Sequence, residues 1–185
     1  MNQTAIKPAK ISSPVIGMGI FVFTEVMFFL ALISAFLVIK AGTPEWSIPD
    51  GITLPIYTTL FNTFLLFLSG YFLWSAGNYH VKKNLEETKS QLTKAAVFGL
   101  IFVAIQGYEW VQLIQYGMTM HSGIFGACFY LLIGSHGLHA LMGAIALLYF
   151  ANVFEKTQRG TIHALMIFWF LVVGIWPVLF GLVYF

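Results

Sequence analysis

His136 and His139 stand three residues apart in "GSHGLHALMG", inside a long apolar run, so both project from one face of a helix. Such a pair could ligate a metal, hold a haem, relay protons or partner a polar group on another element. As metal ligands they lack company. A catalytic zinc takes three protein ligands, and the next histidine, His121, belongs to a turn about 20 Å away by helix rise. A membrane haem would need axial histidines from two facing helices, and His163 falls near the opposite membrane boundary. The single Cys128 excludes an internal disulfide, a C-x-x-C-H haem attachment and a multi-thiolate cluster. No metal site is therefore expected, and two readings stay open: structural histidines satisfied in a core, or partners for a buried acid.

Glu25, in "FTEVMFFL", is the sharpest candidate acid. Its helical neighbours Phe21, Val22, Phe28 and Phe29 offer no partner, and an ionisable group at membrane depth is a functional hypothesis by default. Glu109, in "QGYEWVQLIQ", has Gln106 and Gln112 nearby and an outer boundary only about 9 Å away, so it reads as a wetted interfacial carboxylate. Asn62 and Ser69 read as interhelical hydrogen-bond donors. Around the histidines, Gly137, Ala140, Gly143 and Ala144 are small enough to let another backbone approach, which places their helix centrally.

The elements that carry these residues follow from composition. The chain has 185 residues, 59% hydrophobic and only 9% charged. A soluble domain carries about 25% charged residues, so this is an integral membrane protein. Five stretches reach the roughly 20 residues that a spanning helix needs: residues 16–39, 55–79, 94–115, 123–152 and 162–185. Alternating polar and apolar residues are missing, which argues against a barrel. The expected architecture is all-α: one five-helix membrane domain over 16–185, preceded by a segment 1–15 that lacks the apolar stretch of a cleavable leader. The connector "HVKKNLEETKSQLTK" could carry a turn or two of helix. Trp46, Trp74 and Trp110 lie near span ends, as an interfacial belt requires, whereas Trp169 and Trp176 read as packing residues.

Lys7, Lys10, Lys82, Lys83, Lys89, Lys94, Lys156 and Arg159 fall on one side of this arrangement and only Lys40 on the other. Positive connectors stay cytoplasmic, so the N-terminus is expected inside and the C-terminus in the periplasm or its equivalent. Counted from the inner side, Glu25 lies roughly 14 Å deep and His139 about 20 Å, or less if its helix overshoots the bilayer. The two can meet with a modest tilt, which makes His139 the better partner on depth.

"TEVMFF", "FNTFLLFLSG", the spaced Gly99, Gln106, Glu109 and Trp110, "GSHGLHALMG", and a last span with "FW" followed by Trp176 occur in this order. The series resembles subunit III of the haem-copper terminal oxidases, in its short five-helix form, from about residue 16 onwards. The resemblance implies an accessory subunit with no catalytic residues, in the inner (cytoplasmic) membrane, packed on catalytic subunit I beside the other oxidase subunits. It implies haem and copper in the partners only, structural phospholipid in a cleft, support of proton uptake and catalytic lifetime, and no nucleic-acid partner. Glu25 matches the family's buried glutamate, His136 and His139 its paired histidines, Gln106 and Glu109 its Q-x-x-E motif, and Asn62 a further polar position; these buried groups are linked across helices in the family. Lipid head groups would meet Lys82, Lys83, Lys94, Arg159 and His163. One departure stands out. The family's last helix reads close to W-H-F-V-D-x-x-W, and "WFLVVGIW" puts Phe170 and Val173 at the histidine and aspartate.

Alternatives are the related subunit accompanying nitric oxide reductase, a small proton-coupled transporter with a Glu25–His139 relay, and a haem-binding electron carrier. Transporters commonly divide into repeated halves with broken helices; five spans do not divide, and Pro177 is the one mid-span proline. Five histidines are too few for the carrier.

Overall fold

The computed structural model describes residues 12–44, 46, 52–153 and 159–185. It contains five helices: α1 (Ser13–Gly42), α2 (Ile56–Val81), α3 (Leu85–Gln115), α4 (Ile124–Asn152) and α5 (Arg159–Tyr184). Each has an apolar stretch long enough to cross a membrane. In hydrocarbon every backbone N–H and C=O must be paired within the protein, and a continuous helix does this without help from neighbours.

Sequence also sets the ends. Pro14 occupies the first turn of α1, where no N–H is needed. α2 and α3 are joined by residues 82–84 alone, with Lys83 at φ 59°, in the left-handed region. Asn84 then caps α3 by accepting from the Glu87 backbone N–H at 3.2 Å, and Glu86 and Glu87 complement the positive end of the helix dipole. α3 consequently begins nine residues before the expected apolar span. The charged connector is helix rather than loop, since Asn84 caps its start and the turns run without a break into the apolar span.

α2 runs antiparallel to both α3 and α5. Ser69, Asn62 and Thr59 of α2 meet Ala95, Phe102 and Glu109 of α3 in reverse order. Ser69 and Thr63 likewise meet Trp169 and Trp176 of α5. α5 is the central helix, packed on α1, α2 and α4, and its Trp169, Trp176 and Leu179 are fully buried. α1 is peripheral. It buries only Phe29 and Phe36 and presents Ile16, Ile20, Phe23, Met27, Leu30 and Val38 outward.

Lys82, Lys83, Lys89, Lys94 and His163 are exposed towards one end of the bundle, and Lys40 lies in the last turn of α1 at the other, 5.8 Å from the Phe36 ring. Lys7, Lys10 and Lys156 lie outside the described residues, as does the Arg159 side chain, and of the segment 1–15 only residues 12–15 are described.

Candidate functional site

Two polar centres lie inside the bundle. The first joins α1 to α4. Glu25 Oε2 is 2.9 Å from His139 Nε2, with both side chains largely covered. His139 Nδ1 lies 2.7 Å from the Ser135 carbonyl one turn earlier. A carbonyl only accepts, so Nδ1 carries a hydrogen and donates it. That fixes the chemistry of the other contact. One proton is shared between Nε2 and Oε2, on the acid or on the imidazole, and the pair is neutral overall either way. Phe28, Phe29 and Phe168 surround the His139 ring at centroid distances of 6.2, 5.2 and 6.4 Å. Such a setting keeps water from competing for the shared proton.

His136 does something else. It points into the centre of the bundle, only 1% exposed, and stacks on Trp176 at 4.9 Å between the edges of Phe29 and Phe102. Neither of its nitrogens has a hydrogen-bond partner among the described residues. The HxxH pair thus divides into one histidine bonded to an acid and one packed against aromatic rings. Among the described residues, no three His, Cys, Asp or Glu side chains converge as a metal site would require.

The second centre joins α2 to α3 and overturns the expectation of a wetted Glu109. Its side chain is buried, at 2% exposure. Thr59 Oγ1 donates towards its carboxylate at 3.1 and 3.3 Å, and Gln106 Nε2 donates at 3.2 Å. Tyr184 of α5 faces the same cluster. Depth along α3 puts Glu109 near the membrane boundary, but its direction around the helix axis decides what surrounds it. Gln106 and Glu109 lie on the face that packs against α2, whereas Gln112 turns outward and donates to Tyr108 at 3.0 Å. Trp110 is likewise less interfacial than its position suggested, since its ring lies against Gly137 of α4.

Along α2, beside the second centre, lies a series of single polar contacts to α3 and α5. Asn62 Nδ2 donates to the Phe102 carbonyl at 3.0 Å and Ser69 Oγ to the Ala95 carbonyl at 2.6 Å. Trp169 Nε1 donates to Ser69 Oγ at 3.1 Å, and Trp176 Nε1 to Thr63 Oγ1 at 2.8 Å. Thr59 and Thr63 went unremarked in the sequence. The signal was there: Thr59, Asn62, Thr63, Leu66, Ser69 and Leu73 form one stripe at helical spacing, and all are buried. Of the two residues singled out in the last helix, Phe170 is exposed and Val173 packs 3.5 Å from the position a Cβ would take on Gly70. Lys82 and Lys94 rest over Tyr79 and Phe72, at 6.0 and 5.9 Å from the ring centroids, and Lys82, Lys83, Lys94 and His163 are remote from both centres.

Residues 9–185 match the family model for cytochrome c oxidase subunit III. The chain is 31% identical over 179 residues to a cytochrome c oxidase subunit 3 of Synechocystis sp., covering 91% of this chain and 73% of that one. It is 27% identical over 179 residues to the corresponding protein of Thermostichus vulcanus, covering 92% and 86% of the two chains. A protein of Aeropyrum pernix named "Heme-copper oxidase subunit I+III" matches at 27% identity over 181 residues, 91% of this chain but only 22% of that longer one. Since the match takes in all five spans together with both buried polar centres, the chain belongs to the cytochrome c oxidase subunit III family.

Proposed function

We propose that this accessory subunit of a haem-copper oxidase packs directly against catalytic subunit I, where it acts as a supporting wall rather than as a site of chemistry. The observation that carries this reading is the Aeropyrum pernix relative, whose printed name joins subunits I and III in one chain. A covalent link between two membrane domains favours their lying side by side. The outward apolar face of α1, with just two residues buried inside this chain, supports the same reading. Haem and copper then reside in partner subunits, and the reaction supported is the reduction of oxygen to water. Lys82, Lys83, Lys94, Arg159 and His163 meet phospholipid head groups at the cytoplasmic face of the inner membrane, and structural lipid fills clefts between this chain and its neighbours.

Removing the subunit from the purified oxidase should leave haem and copper content intact, while activity decays faster during turnover and proton uptake slows. Unchanged lifetime and proton stoichiometry would overturn the proposal. Orientation is tested separately. Cys128 lies in the second turn of α4, partly exposed, at the end of the bundle remote from Lys82. With the N-terminus cytoplasmic, a small membrane-impermeant thiol reagent should label Cys128 in right-side-out vesicles. A Lys82→Cys substitution in a Cys128→Ser background should react only in inverted ones. The reverse pattern would invert the topology.

A further inference from the structure

Thr59 Oγ1 carries one hydrogen, and two neighbours compete for it. The Pro55 carbonyl, one turn earlier, lies at 2.9 Å, whereas the two Glu109 carboxyl oxygens lie at 3.1 and 3.3 Å. Distance lets the hydroxyl donate either way, but a single hydrogen makes a single strong bond. Given to Pro55, the nearer acceptor, it leaves the Thr59 oxygen as an acceptor in turn. The hydrogen between Thr59 and Glu109 must then come from the carboxyl. Gln106 Nε2 donates to Oε2 at 3.2 Å, so Oε2 is the carbonyl oxygen and Oε1 the hydroxyl.

The surroundings favour this count of hydrogens. Glu109 is almost completely covered and Thr59 wholly so. Tyr184 of α5, and Tyr130 of α4 facing it, are the ionisable groups on this side of the bundle, while α2 and α3 offer Glu109 only Thr59 and Gln106. Tyr130 gives its own hydrogen to the Met118 carbonyl at 2.7 Å. None of these groups is a cation, and the one ion pair among the described residues, Glu25 with His139, joins other helices. A carboxylate sealed from water without a counter-charge is among the costliest groups a fold can bury, and the neutral acid avoids that cost in the same place.

We propose that Glu109 is a buried proton-binding site, held as the neutral acid with Oε1–H donating to Thr59 and Oε2 accepting from Gln106, and that opening of this end of the bundle releases the proton. Thr59 lies in the first turn of α2, Glu109 within the last two turns of α3, and Tyr184 is the last residue of α5. One proton thus joins helix ends that meet nowhere else through a charge. When the cluster opens to water the carboxyl ionises, as any free glutamate does above a pKa of about 4. Closing takes the proton up again. The open form therefore becomes more accessible as pH rises above the ordinary carboxylate range, by about tenfold per pH unit, and the stability this proton confers is complete in acid and lost towards alkali. The device is independent of the support of subunit I proposed above.

Glu109→Gln supplies the test, because it keeps both bonds and has no proton to release. Its amide donates to Thr59 and its carbonyl accepts from Gln106. The intact oxidase, in phosphatidylcholine nanodiscs, is followed by hydrogen exchange and mass spectrometry. Unaltered and variant complexes are compared at the same pH, so that the intrinsic pH dependence of amide exchange cancels. In segments 56–63 and 106–113 the exchange rate of the unaltered protein, divided by that of the variant, should rise about tenfold per pH unit from neutral to mildly alkaline pH. The infrared spectrum of the unaltered complex minus that of the variant should show the carbonyl band of one protonated carboxyl at neutral pH. A rate ratio that does not change with pH would overturn the proposal, as would carboxylate bands in place of the acid band. If Glu109→Gln does not assemble, Thr59→Val decides instead. Removing the acceptor of the acid hydrogen should shift one protonated-carboxyl band, and an unshifted spectrum would show that Glu109 carries no proton for Thr59 to receive.

Discussion

Replacing Glu25 with alanine should weaken the attachment of α1 to the bundle more than any other single polar substitution. His139 Nδ1 is committed to the Ser135 carbonyl, so Nε2 has Glu25 as its one protein partner among the described residues. Without it, Nε2 is left facing Phe28, Phe29 and Phe168. Stranding a buried polar group costs about 1–3 kcal/mol, and about 3–5 kcal/mol when the pair is ionic. Glu25→Gln should be mild, because its amide can donate to a neutral imidazole in the place of the acid. The double substitution Glu25→Ala with His139→Leu should cost less than the sum of the single ones. The readout is the thermal midpoint for loss of this subunit from the purified complex. Additive costs would show that Glu25 and His139 are not energetically coupled, whatever their distance.

A second large effect is expected from the smallest possible change. Trp169 is wholly buried, and its six-membered ring is gripped by glycines from two helices. A Cβ on Gly99 of α3 would come within 2.8 Å of Trp169 Cη2 and Cζ2, and one on Gly143 of α4 within 2.7 Å of Cε3 and Cζ3. The ring cannot simply slide away, because Nε1 is tethered to Ser69, which is itself bonded to the Ala95 carbonyl. Gly99→Ala and Gly143→Ala should therefore each lower stability by about 1–3 kcal/mol through overpacking, with part of the Trp169–Ser69 hydrogen bond lost in addition. Gly17→Ala and Gly19→Ala on α1 are the controls, since nothing lies within 4 Å of a Cβ at either position. Trp169→Phe should partly rescue Gly99→Ala. Equal tolerance of alanine at Gly17 and Gly99 in the same assay would show that the Trp169 ring does not press on Gly99.

The five spans were legible because hydrocarbon imposes one rule on every residue that enters it, and apolar runs of sufficient length report that rule directly. The start of α3 was not, since outside the lipid a charged helix and a charged loop satisfy the same hydropathy. Only the Asn84 cap distinguishes them, and a lone asparagine is a weak mark. Burial cost pointed Glu25 towards an α4 histidine, and depth favoured His139 over His136; the structure places His139 beside it and sends His136 to Trp176. Glu109 was misread for a reason that recurs in membrane helices. Depth follows from counting, but direction around the axis depends on which helix lies alongside, and Thr59, its partner, is fifty residues away on another span.

The separation of Glu25 and His139 by 114 positions has a consequence for synthesis. At translation rates of about 5–20 residues per second, some 6–23 s pass between the emergence of the acid and that of its partner. The hairpin of α2 and α3 waits less, about 1–8 s, because Ser69 and Asn62 find their carbonyls within 26 and 40 residues. α1 thus enters the membrane carrying a carboxyl that nothing yet made can match. Until α4 arrives, the nascent subunit offers a polar handle on its most exposed helix, and insertion machinery that shelters α1 for those seconds would decide how many copies reach assembly.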